Sequence, residues 1–296
     1  MRVLLIACLI LTLCVAGCTD LQKNPMADGA GLENPDAPGQ TPASVARLVT
    51  LAPGETEIVC ALGMGDLLVG RSDYCNYPPS VTDIPSVGGP KTVSIERVIR
   101  LEPDLVFATT ITDAATAEGL RAAGLEVRIF RLETLEDVYR NIEDVGELLG
   151  CPGNASSLIE GLRERETAVQ AATYGREPPR AMYVLWDDPL YVAGSDTLQD
   201  DLIKRAGGIN VFEDAEGYIV VSDEAVVNRG PEVIIICEAH TAGTGDIRER
   251  LLGKQTLSDV PALRTMRIYT VDADTVNRPG PRLIDALEAF SACLHA

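Results

Sequence analysis

The chain has little histidine, little positive charge and no paired cysteine spacing. Two histidines, His240 and His295, stand among 296 residues. A protein that holds zinc or manganese directly brings several His, Cys or carboxylate ligands onto one ion. Two imidazoles, one of them at the penultimate position, argue against that, and no metal-ligating residue is assigned. Twenty-five Lys and Arg are set against 44 Asp and Glu, a net charge of −19. A phosphate backbone needs a basic face, so the balance speaks against a nucleic-acid partner. Eight cysteines occur but none in C-x-x-C spacing, which removes the zinc-knuckle reading. There is no G-x-S-x-G elbow and no P-loop, and the turns GMGD and GTGD lack the third glycine of a dinucleotide site. An enzyme is therefore not expected. The feature that keeps one in view is His240, which follows the apolar run EVIIIC where an α/β enzyme could place a base.

Long apolar runs are also scarce. The one at the N-terminus, VLLIACLILTLCVA, has about 14 residues, too short to span a bilayer comfortably. It reads as the core of a signal peptide over residues 1–17. The VAGC that ends at Cys18 resembles the lipobox of exported lipoproteins, in which the cysteine carries the lipid. Residues 18–46 are rich in Pro, Gly, Asp and Asn and show no apolar period, the pattern of a flexible tether. A coil of that length reaches roughly 30 Å. The remainder is then extracytoplasmic. Five further cysteines, Cys60, Cys75, Cys151, Cys237 and Cys293, leave at least one thiol unpaired or joined to another molecule. A Cys60–Cys75 bridge is compatible with the sequence, which does not decide it.

What is present is a body with 46% hydrophobic residues. Apolar strand-like runs alternate with helical patterns: RLVTL, LLVGR, DLVFAT and LEVRIF in the first half, MYVLW, EVIIIC and RIYTVD in the second. Alternation of this kind predicts α/β lobes with mainly parallel sheets. Helices are expected near residues 113–123 and 134–149. A long charged helix over 154–173, with Asn154 as its N-cap, separates a lobe at 47–150 from one at 178–296. The linking segment is 151–177. Two similar lobes joined this way leave a ligand cleft between them.

One unit occurs twice. SIERVIRLEPDLVF (residues 94–107) and SDEAVVNRGPEVII (residues 222–235) both begin with Ser and place Glu two residues on. Both put Pro seven residues after the Glu and then enter an apolar run. Together with RLVTLAPGETEIVCALGMGDLLVGRSDYCNYPP and GGINVF, these strings resemble the substrate-binding proteins of ABC importers for cobalamin and ferric siderophores. The likeness covers about residues 47–294. It implies two lobes on a rigid helix, a monomer, no cofactor, and a permease dimer with ATPase subunits as partner. It also assigns the repeated Glu96 and Glu224 as knobs that dock into arginine pockets on the two permease subunits.

The same resemblance implies ligand contacts. Tyr74 and Tyr218 fall where the cobalamin binders carry aromatics, and Asp274 and Arg278 match polar contacts from the last loop. Trp186, the sole Trp, and Tyr191 are expected to wall the cleft. Pro90 replaces a stacking aromatic, and Lys91 beside it offers a cation instead. A corrinoid is the favoured ligand. A ferric siderophore would use Arg71, Arg278 and Arg282 as an anion clamp, and haem would use Tyr74 as axial ligand. A tetrapyrrole chelatase, built on a related two-lobe fold, is the alternative of another class.

Overall fold

The computed structural model describes residues 45–89, 91–238 and 247–296. Cys18, Pro90 and His240 lie outside them. The first lobe runs β1 (Leu48–Thr50), α1 (Pro53–Ala61), β2 (Leu68–Arg71), α2 (Ile95–Arg100), β3 (Leu105–Thr109), α3 (Ala114–Ala122), β4 (Val127–Phe130) and α4 (Leu135–Leu148). Its sheet has the order β2-β1-β3-β4 and is parallel throughout. Every residue of β1 and β3 is buried, as expected for strands covered on both faces.

Helix α5 (Pro152–Thr173) then carries the chain across. At 1.5 Å per residue its 22 residues span about 33 Å. The second lobe follows as β5 (Arg180–Asp187), β6 (Leu190–Ala193), α6 (Leu198–Arg205), β7 (Ile209–Asn210), β8 (Tyr218–Val220), α7 (Asp223–Arg229), β9 (Val233–Glu238), α8 (Ile247–Gly253), α9 (Pro261–Arg264), β10 (Ile268–Asp272), α10 (Ala273–Val276) and α11 (Leu283–His295). Strands β10, β9, β5 and β7 are parallel, whereas β6 and β8 run antiparallel to their neighbours. The lobes are thus less alike than the sequence pattern implies, since two antiparallel strands, β6 and β8, extend the second sheet. That extension was not apparent in the sequence, because LYVA and YIV are too short to show a period.

The start of α5 corrects one expectation. Pro152 occupies the first helical turn, so the helix begins before Asn154, and Cys151 is the N-cap residue. The Asn154 amide instead donates to the Leu62 carbonyl at 2.8 Å. It serves the open C-terminus of α1, whose last carbonyls have no helical partner. No disulfide forms either: Cys60, Cys75, Cys151, Cys237 and Cys293 are all free thiols.

One continuous apolar core runs from Leu48 and Val145 through Leu162 and Val169 of α5 to Tyr183 and Phe290. Polar bonds reinforce it. Tyr139 on α4 donates to Glu166 on α5 at 3.0 Å, and Glu166 also pairs with Arg205 on α6. Asp201 on α6 accepts from the Leu135 backbone at 2.8 Å, so an acid of one lobe serves the first turn of a helix in the other. Arg165 binds Asp285 and Glu288 of α11. The lobes are packed together through α5.

Candidate functional site

The parallel strands of the first sheet and β10 of the second direct their carboxyl ends to a common cavity of ≈ 530 Å³. Its walls come from the residues that follow those strands. Pro53, Gly54 and Glu55 follow β1, Tyr74 and Lys91 follow β2, Thr109 and Ile111 end and follow β3, and Leu132 follows β4. Asp274, Asn277 and Arg278 come from the second lobe after β10. Ligands of open α/β sheets collect at this edge, because the loops there are free of the sheet's pairing.

The structure therefore brings Tyr74, Lys91, Asp274 and Arg278 to one cavity. Tyr74 is 59% exposed and lies against Gly89. Ile111, 66% exposed, and Leu132 add apolar rim that the sequence reading missed. The signal was available: both residues directly follow predicted strands.

Trp186, Tyr191 and Tyr218 form a second group. Trp186 is the cross-strand partner of Tyr191, which in turn is the partner of Val220. Cross-strand partners share a sheet face. The Tyr191 and Tyr218 rings lie 6.1 Å apart. Trp186, Tyr218 and Val220 are all exposed, so this is an open aromatic face rather than packing beneath a loop. It connects to the cavity by hydrogen bonds. The Tyr218 hydroxyl meets Gln199 Oε1 at 2.7 Å, and Gln199 Nε2 donates to Asn277 Oδ1 at 2.9 Å.

The arginines expected to clamp an anion are engaged elsewhere. Arg71 donates to the carbonyls of Ser72, Val81 and Thr82 and holds the loop after β2. Arg278 pairs with Asp274 at 2.5 Å and donates to Asn76 Oδ1. Arg282 makes a two-pronged bond to Glu57 at 2.6 and 2.9 Å, its guanidinium 4.0 Å above the Tyr77 ring. Burial outweighs the pull of Arg282 and Arg278 and pushes the Glu57 carboxyl above its usual range. Beside this pair the lobes touch backbone to backbone. A Cβ on Gly54 would stand 2.5 Å from the Pro279 carbonyl oxygen, so only glycine fits.

The repeated units fold alike. Ser94 caps α2 by accepting from Arg97 N, and Ser222 caps α7 by accepting from Ala225 N. Val98 and Val226, each two residues past the Glu, are fully buried, which turns Glu96 and Glu224 outward. A hydrogen bond from its own backbone N–H and one from Ser94 lower the pKa of Glu96.

Among the described residues no cluster of His, Cys, Asp or Glu is arranged to hold a metal ion, and no helix is long and apolar enough to cross a membrane. His295 Nε2 lies 2.9 Å from the Ala206 carbonyl, at the C-terminal end of α11.

Comparison with known proteins gives the same architecture. The sequence profile of the periplasmic binding protein family matches residues 48–275. A vitamin B12-binding protein of Vibrio parahaemolyticus is 31% identical over 85% of this chain and 89% of its own length. An uncharacterized ABC transporter substrate-binding lipoprotein of Bacillus subtilis is 30% identical over 84% of this chain and 80% of that protein. A solved periplasmic heme-binding protein from Roseiflexus superposes with a TM-score of 0.74 at 29% identity, covering 86% of this chain and all of that one. These relatives are binding proteins, not enzymes.

Proposed function

The chain belongs to the periplasmic binding protein family, and from that premise we propose that it captures a corrinoid outside the cytoplasmic membrane and delivers it to an ABC permease dimer. The observation that carries the ligand class is the use of charge around the cavity. Arg71, Arg278 and Arg282 are each bonded within the protein. A ferric siderophore with several anionic groups would have to break those bonds. A large, nearly uncharged ligand leaves them intact and spreads over Tyr74, Ile111, Leu132 and the Trp186–Tyr191–Tyr218 face. Few charges and much flat apolar surface is the recognition a corrinoid needs. Haem is the second reading, because exposed Tyr74 lines the same cavity and a tyrosine can serve as an axial ligand.

Calorimetric titration of residues 41–296 with cyanocobalamin, cobinamide, haemin and ferric siderophores tests this. The expected result is one-to-one corrinoid binding with a Kd below about 1 μM, equivalent to roughly −8 kcal/mol. Trp186→Ala is expected to weaken it about tenfold, the loss of one aromatic stacking surface. Heat with haemin or a siderophore alone would overturn the corrinoid assignment.

We also read Cys18 as the lipid-bearing residue after removal of 1–17, with 18–46 as tether. The lipobox-like VAGC supports this, as does a lipoprotein among the relatives. Cys18→Ser is expected to move the protein from the membrane pellet to the soluble fraction. An unchanged distribution would remove the anchor.

A further inference from the structure

Among the described residues, six buried side-chain polar atoms have no hydrogen-bond partner, and five belong to three residues. They are both carboxyl oxygens of Glu55, both amide atoms of Asn141 and Oγ1 of Thr109. Glu55 and Thr109 line the cavity, and Asn141 on α4 faces the Glu55 carboxyl without a hydrogen bond of good geometry. Natural proteins leave few such groups, so a concentration at one place calls for a reason.

Glu55 lies in the first turn of α1 and is 0% exposed. The charged group that acts on it is itself acidic. Glu57 approaches from its own helix, Cys75 from the loop after β2, Asn141 from α4, and no cation among the described residues acts on it. Burial pushes its pKa up to about 8, with the Glu57 charge adding to the rise while its own backbone N–H and Asn141 oppose it. The folded chain thus holds this proton through neutral pH, whereas the unfolded chain releases it near 4.5. The contribution of Glu55 to stability is fully present below pH 4.5 and is lost as pH rises towards 8. Beyond that, an unpaired carboxylate is sealed in the core, which only water can relieve.

The turn that must open to admit water is the one that joins the lobes. Gly54 meets the Pro279 backbone, and Glu57 grips Arg282. We propose that Glu55 is a pH gate on ligand capture. Its proton keeps the first turn of α1 seated as the cavity floor, and loss of the proton unseats that turn and weakens ligand binding. The gate needs no particular ligand.

Three measurements on the full chain test it. In a carbon-13 titration, the carboxyl resonance that Glu55→Gln removes is expected to titrate near pH 8; a midpoint near 4.5 overturns the gate. Hydrogen exchange of α1, corrected for base catalysis, is expected to accelerate between pH 7 and 9 in the wild type but not in Glu55→Gln. No acceleration in the wild type overturns the gate, whatever the variant does. Cyanocobalamin serves as probe for the third. Its affinity is expected to fall about fivefold from pH 7 to 9, the change given by a pKa near 8 in the free protein and one unit higher in the bound protein, and to hold within about twofold in Glu55→Gln. Equal pH profiles in the two proteins overturn the gate. No binding at either pH counts against the corrinoid reading, and the first two measurements then decide the gate.

Discussion

Glu96→Arg combined with Glu224→Arg is expected to abolish ligand uptake by cells while leaving ligand affinity within about twofold of the wild-type value. The two carboxylates sit at matched places in the two lobes, each two residues past a capping Ser and two before a fully buried Val. The helices therefore hold both outward in the same way. Neither side chain lines the cavity, so capture has no reason to change. Docking does, because a carboxylate meeting a guanidinium in an interface is strong and directional. Removing one partner of such a pair costs about 2–5 kcal/mol, and reversing its sign adds repulsion. Each single substitution is expected to lower uptake in part, since one knob remains. Normal uptake by the double variant would end the docking assignment. Loss of affinity in the purified protein would mean that these helices shape the cavity after all.

Arg282→Met is expected to destabilise the protein by about 3–5 kcal/mol, the loss typical when one partner of a buried ion pair is removed. Glu57 is 3% exposed at its side chain and Arg282 20%, so the carboxylate left behind has little water to turn to. For a body of about 250 residues this lowers Tm by roughly 10 °C. Glu57→Leu with Arg282→Met is expected to recover much of the loss, because replacing both charges removes the desolvation cost as well. A loss in the double variant equal to the sum of the losses in Glu57→Leu and Arg282→Met alone would show that no coupling exists. The pair also bears on motion. With it, the Asp201 bond to Leu135 and a core continuous through α5, the lobes are held at several places. Ligand binding is expected to change the radius of gyration in solution scattering only slightly, and a large compaction would show that these attachments yield.

How far the sequence could be read varied with the range of the interactions involved. Caps and strands depend on neighbours a few residues apart, so the repeated Ser-x-Glu starts and the strands at Leu105 and Val233 were visible. Asn154 shows the limit. Its type is right for a cap, yet Pro152 starts the helix earlier, and the amide finds a carbonyl 92 residues away. The antiparallel β6–β8 extension was missed because three or four residues carry no period of their own. Half-buried Tyr191 is aligned by the pairing of β6 with β5, and exposed Tyr218 and Val220 by the pairing of β8 with β6.

The amino-acid sequence alone determined the α/β class, the doubled helix–Pro–strand unit with its two outward Glu residues, and the scarcity of metal-ligating side chains. These follow from composition and local periodicity, which act within one element. Tertiary structure alone decided what the charged groups do. Arg278 and Arg282 read as ligand contacts until Asp274 and Glu57 were seen to occupy them. Glu55, to which the sequence drew no attention, is buried with neither carboxyl oxygen hydrogen-bonded. A charge is governed by whatever stands within a few ångströms and by how much water reaches it. Those neighbours come from distant parts of the chain, and only folding brings them together.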